Sequence, residues 1–154
     1  MTATLAAGCL DDDGGERICT AIGCIDGFWI SVVASGALPD GDYEFQLMLD
    51  DTPVTCTHPA GVSAPLANGT CNSESVRSGL LTNNGGTDGR GAPNGFRIEI
   101  MDTPSVVVLR VLHDGALVGE RTLEPTYQTI MPNGAGCGPI CDTAPPEELR
   151  LVLE

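Results

Sequence analysis

The chain contains no lysine. Its seven basic residues are all arginine, set against 21 aspartates and glutamates, for a net charge of −14. A surface of that sign repels phosphate backbones and anionic lipid, so nucleic acid is excluded as a partner. Aromatic residues are scarce, with one Trp, two Tyr and three Phe. That weakens a sugar-stacking platform, which needs several exposed rings. There are only two histidines, His58 and His113. Neither an H-E-x-x-H nor a G-x-S-x-G motif accompanies them, so no catalytic residue is assigned. No apolar run reaches the roughly 18 residues of a membrane-spanning helix. No amphipathic helix of useful length is present either.

Glycine and proline, 20 and 11 residues, separate short apolar runs, the pattern of strands joined by turns. Residues 28–33 (F-W-I-S-V-V) read as a core strand, with Trp29 packed inside. In residues 42–49, Tyr43, Phe45, Leu47 and Leu49 alternate with more polar neighbours, so one face is buried. Asp50-Asp51 then turns the chain into a partner strand at residues 54–57. Residues 96–100 alternate again, and residues 106–112 are mostly apolar. Asp114-Gly115 predicts a two-residue hairpin turn, in which both central residues take positive φ, and residues 117–123 form the return strand. Residues 149–153 close the fold. Seven to eight short strands without helices predict an all-β, antiparallel, immunoglobulin-like β-sandwich stapled by disulfides. A small barrel is the alternative. Residues 59–75 and 82–94 read as surface loops, placing His58 in solvent and His113 at a turn.

Leu5-Ala6-Ala7-Gly8-Cys9 is the pattern cut by the bacterial lipoprotein signal peptidase, with small residues before a cysteine that receives a diacylglyceryl group. Residues 1–8 then read as a signal-peptide remnant, residues 9–18 as the lipidated Cys9 and an acidic tether, and residues 19–154 as the sandwich domain. Of seven cysteines, six remain once Cys9 carries lipid. Six suffice for three disulfides in an oxidising compartment. Cys56 and Cys71 are spaced for a local staple. Cys19/Cys24 and Cys137/Cys141 form two clusters, and cross-linking them would clamp the two ends of the domain. Pairing within each cluster is the alternative, and spacing does not decide which cysteine meets which. The two clusters also resemble a structural zinc site, against which export argues, so no metal ligand is assigned.

Leu38-Pro39-Asp40-Gly41-Asp42-Tyr43 resembles the strand entry of many immunoglobulin-like and transthyretin-like surface modules, where the Tyr packs at a sandwich corner. Pro132-Asn133-Gly134 followed by Cys137-Gly138-Pro139-Ile140-Cys141, together with Cys19, Cys24 and Gly27, resembles an element of cell-envelope lipoproteins from myxobacteria and their relatives. The resemblance spans residues 19–154. It implies a small all-β lipoprotein and brings no activity with it.

Calcium is the second cation the sequence raises. Asp11-Asp12-Asp13, Asp40 with Asp42, Asp50-Asp51 and Asn83/Asn84/Asp88 supply oxygen ligands. None has EF-hand spacing, and turn chemistry accounts for the same residues. No cofactor is expected. The functional expectation is a non-catalytic binding or adhesion module, lipid-anchored to the outer membrane. Its partner would be an envelope protein or glycan, met through residues 59–75 and 83–94. A structural subunit of a surface assembly is the first alternative. A metal-dependent or hydrolytic enzyme assembled from distant residues is the second.

Overall fold

The structure is a computed structural model, and it describes residues 8–10, 16–19, 22–60, 69–82 and 93–153. The strands are β1 (Gly8–Leu10), β2 (Glu16–Ile18), β3 (Phe28–Val33), β4 (Gly41–Leu49), β5 (Thr52–Ala60), β6 (Thr70–Cys71) and β7 (Val76–Thr82). They continue as β8 (Pro93–Ile100), β9 (Val107–His113), β10 (Ala116–Leu123), β11 (Gln128–Ile130), β12 (Cys141–Thr143) and β13 (Glu147–Arg150). A five-stranded sheet ordered β10-β9-β4-β5-β6 packs on a four-stranded sheet ordered β13-β3-β8-β7. The result is the expected all-β sandwich. Two smaller two-stranded sheets, β1-β2 and β11-β12, complete it.

Alternation sets which side chains enter the core. Tyr43, Phe45, Leu47 and Leu49 of β4 are buried, as are Phe96, Ile98 and Ile100 of β8 and Val107, Leu109 and Val111 of β9. Phe96 is the centre of the interior. Its ring lies 4.8 Å from that of Tyr43, 4.9 Å from Phe45 and 5.4 Å from His58. Tyr43 donates its hydroxyl to the Pro39 carbonyl at 3.3 Å. That is a corner contact within the L-P-x-G-x-Y segment.

The turns follow from their residues. Asp114 and Gly115 have φ of 49° and 84°, the left-handed pair a two-residue hairpin demands. Asp50 also takes positive φ, 50°. Its carboxylate accepts the N–H groups of Ser105 and Val106, which ties the β4–β5 turn to the start of β9.

Two prolines sit inside β5. Thr55 points its N–H away from β4, to Asn72 Oδ1 at 2.9 Å. Pro53 and Pro59 share its parity, so their missing donors fall on the side where β6, only two residues long, does not reach. Proline is tolerated in a strand at such a free edge.

Both seams of the sandwich are stitched. On one side Val152 N–H donates to the Val118 carbonyl at 2.9 Å and Leu151 N–H to the Val33 carbonyl at 2.8 Å. There Arg121 reaches the Glu148 carbonyl and the Glu147 carboxylate. On the other side Gly69 N–H donates to the Ser78 carbonyl at 3.0 Å.

Several expectations are corrected. His58 and Pro59 belong to β5, because Val54, Cys56, His58 and Ala60 continue one inward-facing series. Within residues 59–75, Thr70 and Cys71 form β6, and β7 follows directly at Val76. The closing strand is Glu147–Arg150 rather than residues 149–153, and it pairs with β3 in parallel, an exception to the antiparallel pairing expected of the sandwich. Trp29 faces outward. It has the parity of Ser31, while Phe28, Ile30 and Val32 fill the core. Residues 1–7 and 11–15, which include Asp11-Asp12-Asp13, lie outside the described residues, as do residues 61–68 and 83–92 with Asn83, Asn84 and Asp88.

Candidate functional site

Three disulfides use the six cysteines other than Cys9: Cys19–Cys137, Cys24–Cys141 and Cys56–Cys71. Cys56 and Cys71 face each other across β5 and β6. The other two bridges join the clusters across 118 and 117 residues of sequence. Cys9 lies in β1, opposite Arg17 in the backbone register with β2.

The segment around the two long bridges is a cap over one end of the sandwich. Asn133 fastens it. Its Oδ1 accepts Ile22 N–H at 3.0 Å, while its Nδ2 donates to the Ile22 carbonyl at 2.9 Å and to the Gly138 carbonyl. An amide side chain thus pairs with the main chain of Ile22 much as a neighbouring strand would. Gly27 continues the attachment. Its N–H donates to the Asp142 carbonyl, and its own carbonyl accepts Ala144 N–H. Gly27 has φ of 102°, and a Cβ there would collide with the Ile100 carbonyl, so only glycine fits. Asp26 Oδ1 accepts Asp142 N–H at 2.8 Å, and Asp142 Oδ1 accepts the Thr129 hydroxyl at 2.6 Å.

Between this cap and the outer face of the β3–β8 pair lies an open cleft of about 470 Å³. Its floor is apolar, built from Phe28, Ile100 and Ala144. Its walls are Ile25, Trp29 and Ile130, which are 66%, 38% and 38% exposed. Its polar side chains are those of Asp26, Arg97, Glu99 and Thr143. Trp29 and Glu99 are direct partners across β3 and β8. The Arg97 guanidinium lies 4.4 Å from the Trp29 ring centroid, and its Nε is 3.0 Å from Glu99 Oε1. A cation over the electron-rich indole face is attracted by the ring quadrupole. Both partners of the ion pair are about 40% exposed, so the pair organises the rim more than it stabilises the fold. An apolar floor with a few polar groups at its edge, at this volume, has the form of a small-ligand or side-chain site.

The two histidines are placed differently. His58 is 1% exposed. Its Nδ1 meets the Pro59 carbonyl at 2.8 Å, and its Nε2 has no hydrogen-bond partner among the described residues, like the buried Ser78 Oγ. His113 stacks on Tyr43 at 4.5 Å, and its Nε2 lies 3.5 Å from Asp114 Oδ2. The structure does not bring the two histidines to the cleft. Asp42 uses its N–H on Asp114 Oδ1. Among the described residues no group of three or more His, Cys, Asp or Glu side chains is arranged to hold a metal ion.

Sequence reasoning put the contact surface on residues 59–75 and 83–94 and missed the cleft, whose residues come from four distant stretches. One signal was present: in β3 the indole falls on the same side as Ser31, opposite the three core residues. No protein-family model, curated protein or solved structure matches the chain.

Proposed function

We propose that the chain is a non-catalytic binding module of the bacterial cell envelope, held at the outer membrane by lipid on Cys9. Its ligand surface is the cleft at Trp29. The observation that carries this reading is the cleft itself. It exposes the sole tryptophan over an apolar floor, on an end of the domain that two disulfides hold rigid. A site on a rigid frame loses little entropy when a ligand binds. The L-A-A-G-C segment and the three disulfides support export to an oxidising compartment. The resemblance to myxobacterial envelope lipoproteins points the same way. The immunoglobulin-like assignment of the sandwich belongs to this proposal, supported by the Tyr43 corner contact.

The test has two parts. The full chain, expressed with its native upstream region, is expected to fractionate with the outer membrane and to carry a diacylglyceryl adduct on Cys9 by intact mass. The wild-type chain and Trp29→Ala are then compared for retention on isolated envelope material, with circular dichroism confirming equal folding. Retention that survives Trp29→Ala unchanged would remove the cleft from the function. An unmodified Cys9 would remove the anchor.

A further inference from the structure

The cleft carries an electrostatic asymmetry. Arg97 and Glu99 neutralise one another across the Trp29 face. Elsewhere on the rim Asp26 is exposed, and its carboxylate holds a neutral donor, the Asp142 N–H. It forms no ion pair among the described residues. A carboxylate has about four acceptor sites, so Asp26 retains capacity for an ammonium or guanidinium group. The whole chain carries −14, which draws cations toward the surface and repels anions. The same charge, with no lysine present, makes a second copy of this chain a poor occupant. One exposed indole is too little for a polysaccharide track, while Ile25, Ile130 and the floor favour an apolar side chain.

We propose that the cleft binds a peptide segment of a partner protein in which an apolar side chain lies next to a lysine or arginine. The apolar side chain fills the floor beside Trp29 and Ile130. The cation meets the carboxylate of Asp26. This rests on the cleft being the ligand surface and names the class of partner it takes.

The probe is a capped eight-residue peptide with a leucine–phenylalanine pair flanked by lysines. Its controls are the same peptide with acetylated lysines, a version with glutamate for lysine, and free hexylammonium. Each is titrated into the full chain with disulfides intact, and binding is read by calorimetry and by the emission of Trp29, the sole tryptophan. The lysine peptide is expected to bind and shift the emission, with acetylation weakening it by about tenfold through loss of charge-assisted hydrogen bonds. Raising salt to about 0.5 M weakens it in the same direction. Asp26→Asn keeps the Oδ1 acceptor for Asp142 N–H, so the cap stays folded, and it is expected to weaken the lysine peptide several-fold while leaving the acetylated one unchanged.

Equal affinity for the lysine and acetylated peptides, or no effect of Asp26→Asn, overturns the cationic class while leaving the cleft as a binding surface. Hexylammonium binding as tightly as the peptide overturns the peptide occupant in favour of a free amine. Silence of Trp29 toward every probe overturns the inference outright. Failure of the wider reading shows instead as envelope retention unaffected by Trp29→Ala.

Discussion

The sandwich interior and the cap are held together by different physics. In the interior, Phe96 meets Tyr43, Phe45 and His58, and strand after strand contributes alternate apolar side chains. Burial of that surface is sufficient to fix the elements. The cap has almost none of this. Ile22, Ile25, Met131 and Ile140 are exposed, and what holds them is two sulfur bridges, the amide of Asn133 and the main chain of Gly27. Segments without periodicity bury too little to offset their ordering entropy. Here the deficit is met by covalent bonds that lower the entropy of the unfolded chain.

The contrast can be broken most strongly at the cysteines. In the chain-entropy model a loop of about 100 residues contributes roughly 4.7 kcal/mol, and once it is closed the second bridge closes a ring of only about nine residues, adding about 2.5 kcal/mol. Replacing Cys19, Cys24, Cys137 and Cys141 together by serine is therefore expected to cost about 7 kcal/mol, whereas losing either bridge alone costs about 2.5 kcal/mol. Urea denaturation of the variants checks this non-additivity. Phe96→Ala attacks the interior and is expected to cost about 3–5 kcal/mol with every disulfide intact, read from the same transitions.

Asn133→Asp sharpens the comparison at the cap. It retains an acceptor for Ile22 N–H but removes the donors to the Ile22 and Gly138 carbonyls, for an expected loss of about 1–2 kcal/mol. Faster hydrogen exchange confined to the cap, with β4 and β8 unchanged, would separate the two regions. The smallest effect is alkaline. Burial, reinforced by Asp114, pushes Tyr43 up to about 12, and burial with Asp102 and Asp50 does the same for Tyr127. Both groups are raised above their unfolded value, so their contribution is full below about pH 10 and is lost as pH climbs toward 12. Tyr43→Phe should flatten part of that decline in a pH series of thermal midpoints. An unchanged slope would place the alkaline loss elsewhere.

The interior was largely legible in the sequence, because alternation and turn chemistry are local. β4, β8 and the Asp114-Gly115 turn could be read directly. β7 escaped because Ser78 and Gly79 interrupt its apolar series. β11 and β12, three residues each, are too short to carry a period. His58 was misread because a proline follows it, and only the free edge beside β6 explains how the strand continues. The cleft was not legible at all. Ile25, Trp29, Arg97 and Ile130 approach each other only after both sheets and the cap have formed, and no local pattern encodes that approach.

The bridge from Cys19 to Cys137 also fixes how the molecule carries load. Tension entering from the N-terminal side of Cys19 crosses the sulfur bond to Cys137 and leaves along residues 137–153. Every strand from β3 to β11 lies inside the covalent ring and is shielded from the pull. Among the described strands β1, β2, β12 and β13 are in the line of force. Stretched between its ends, the domain lengthens by a few short strands and then stops, so Trp29, Arg97 and Ile130 stay inside the ring under a drag that would unravel an unbridged sandwich.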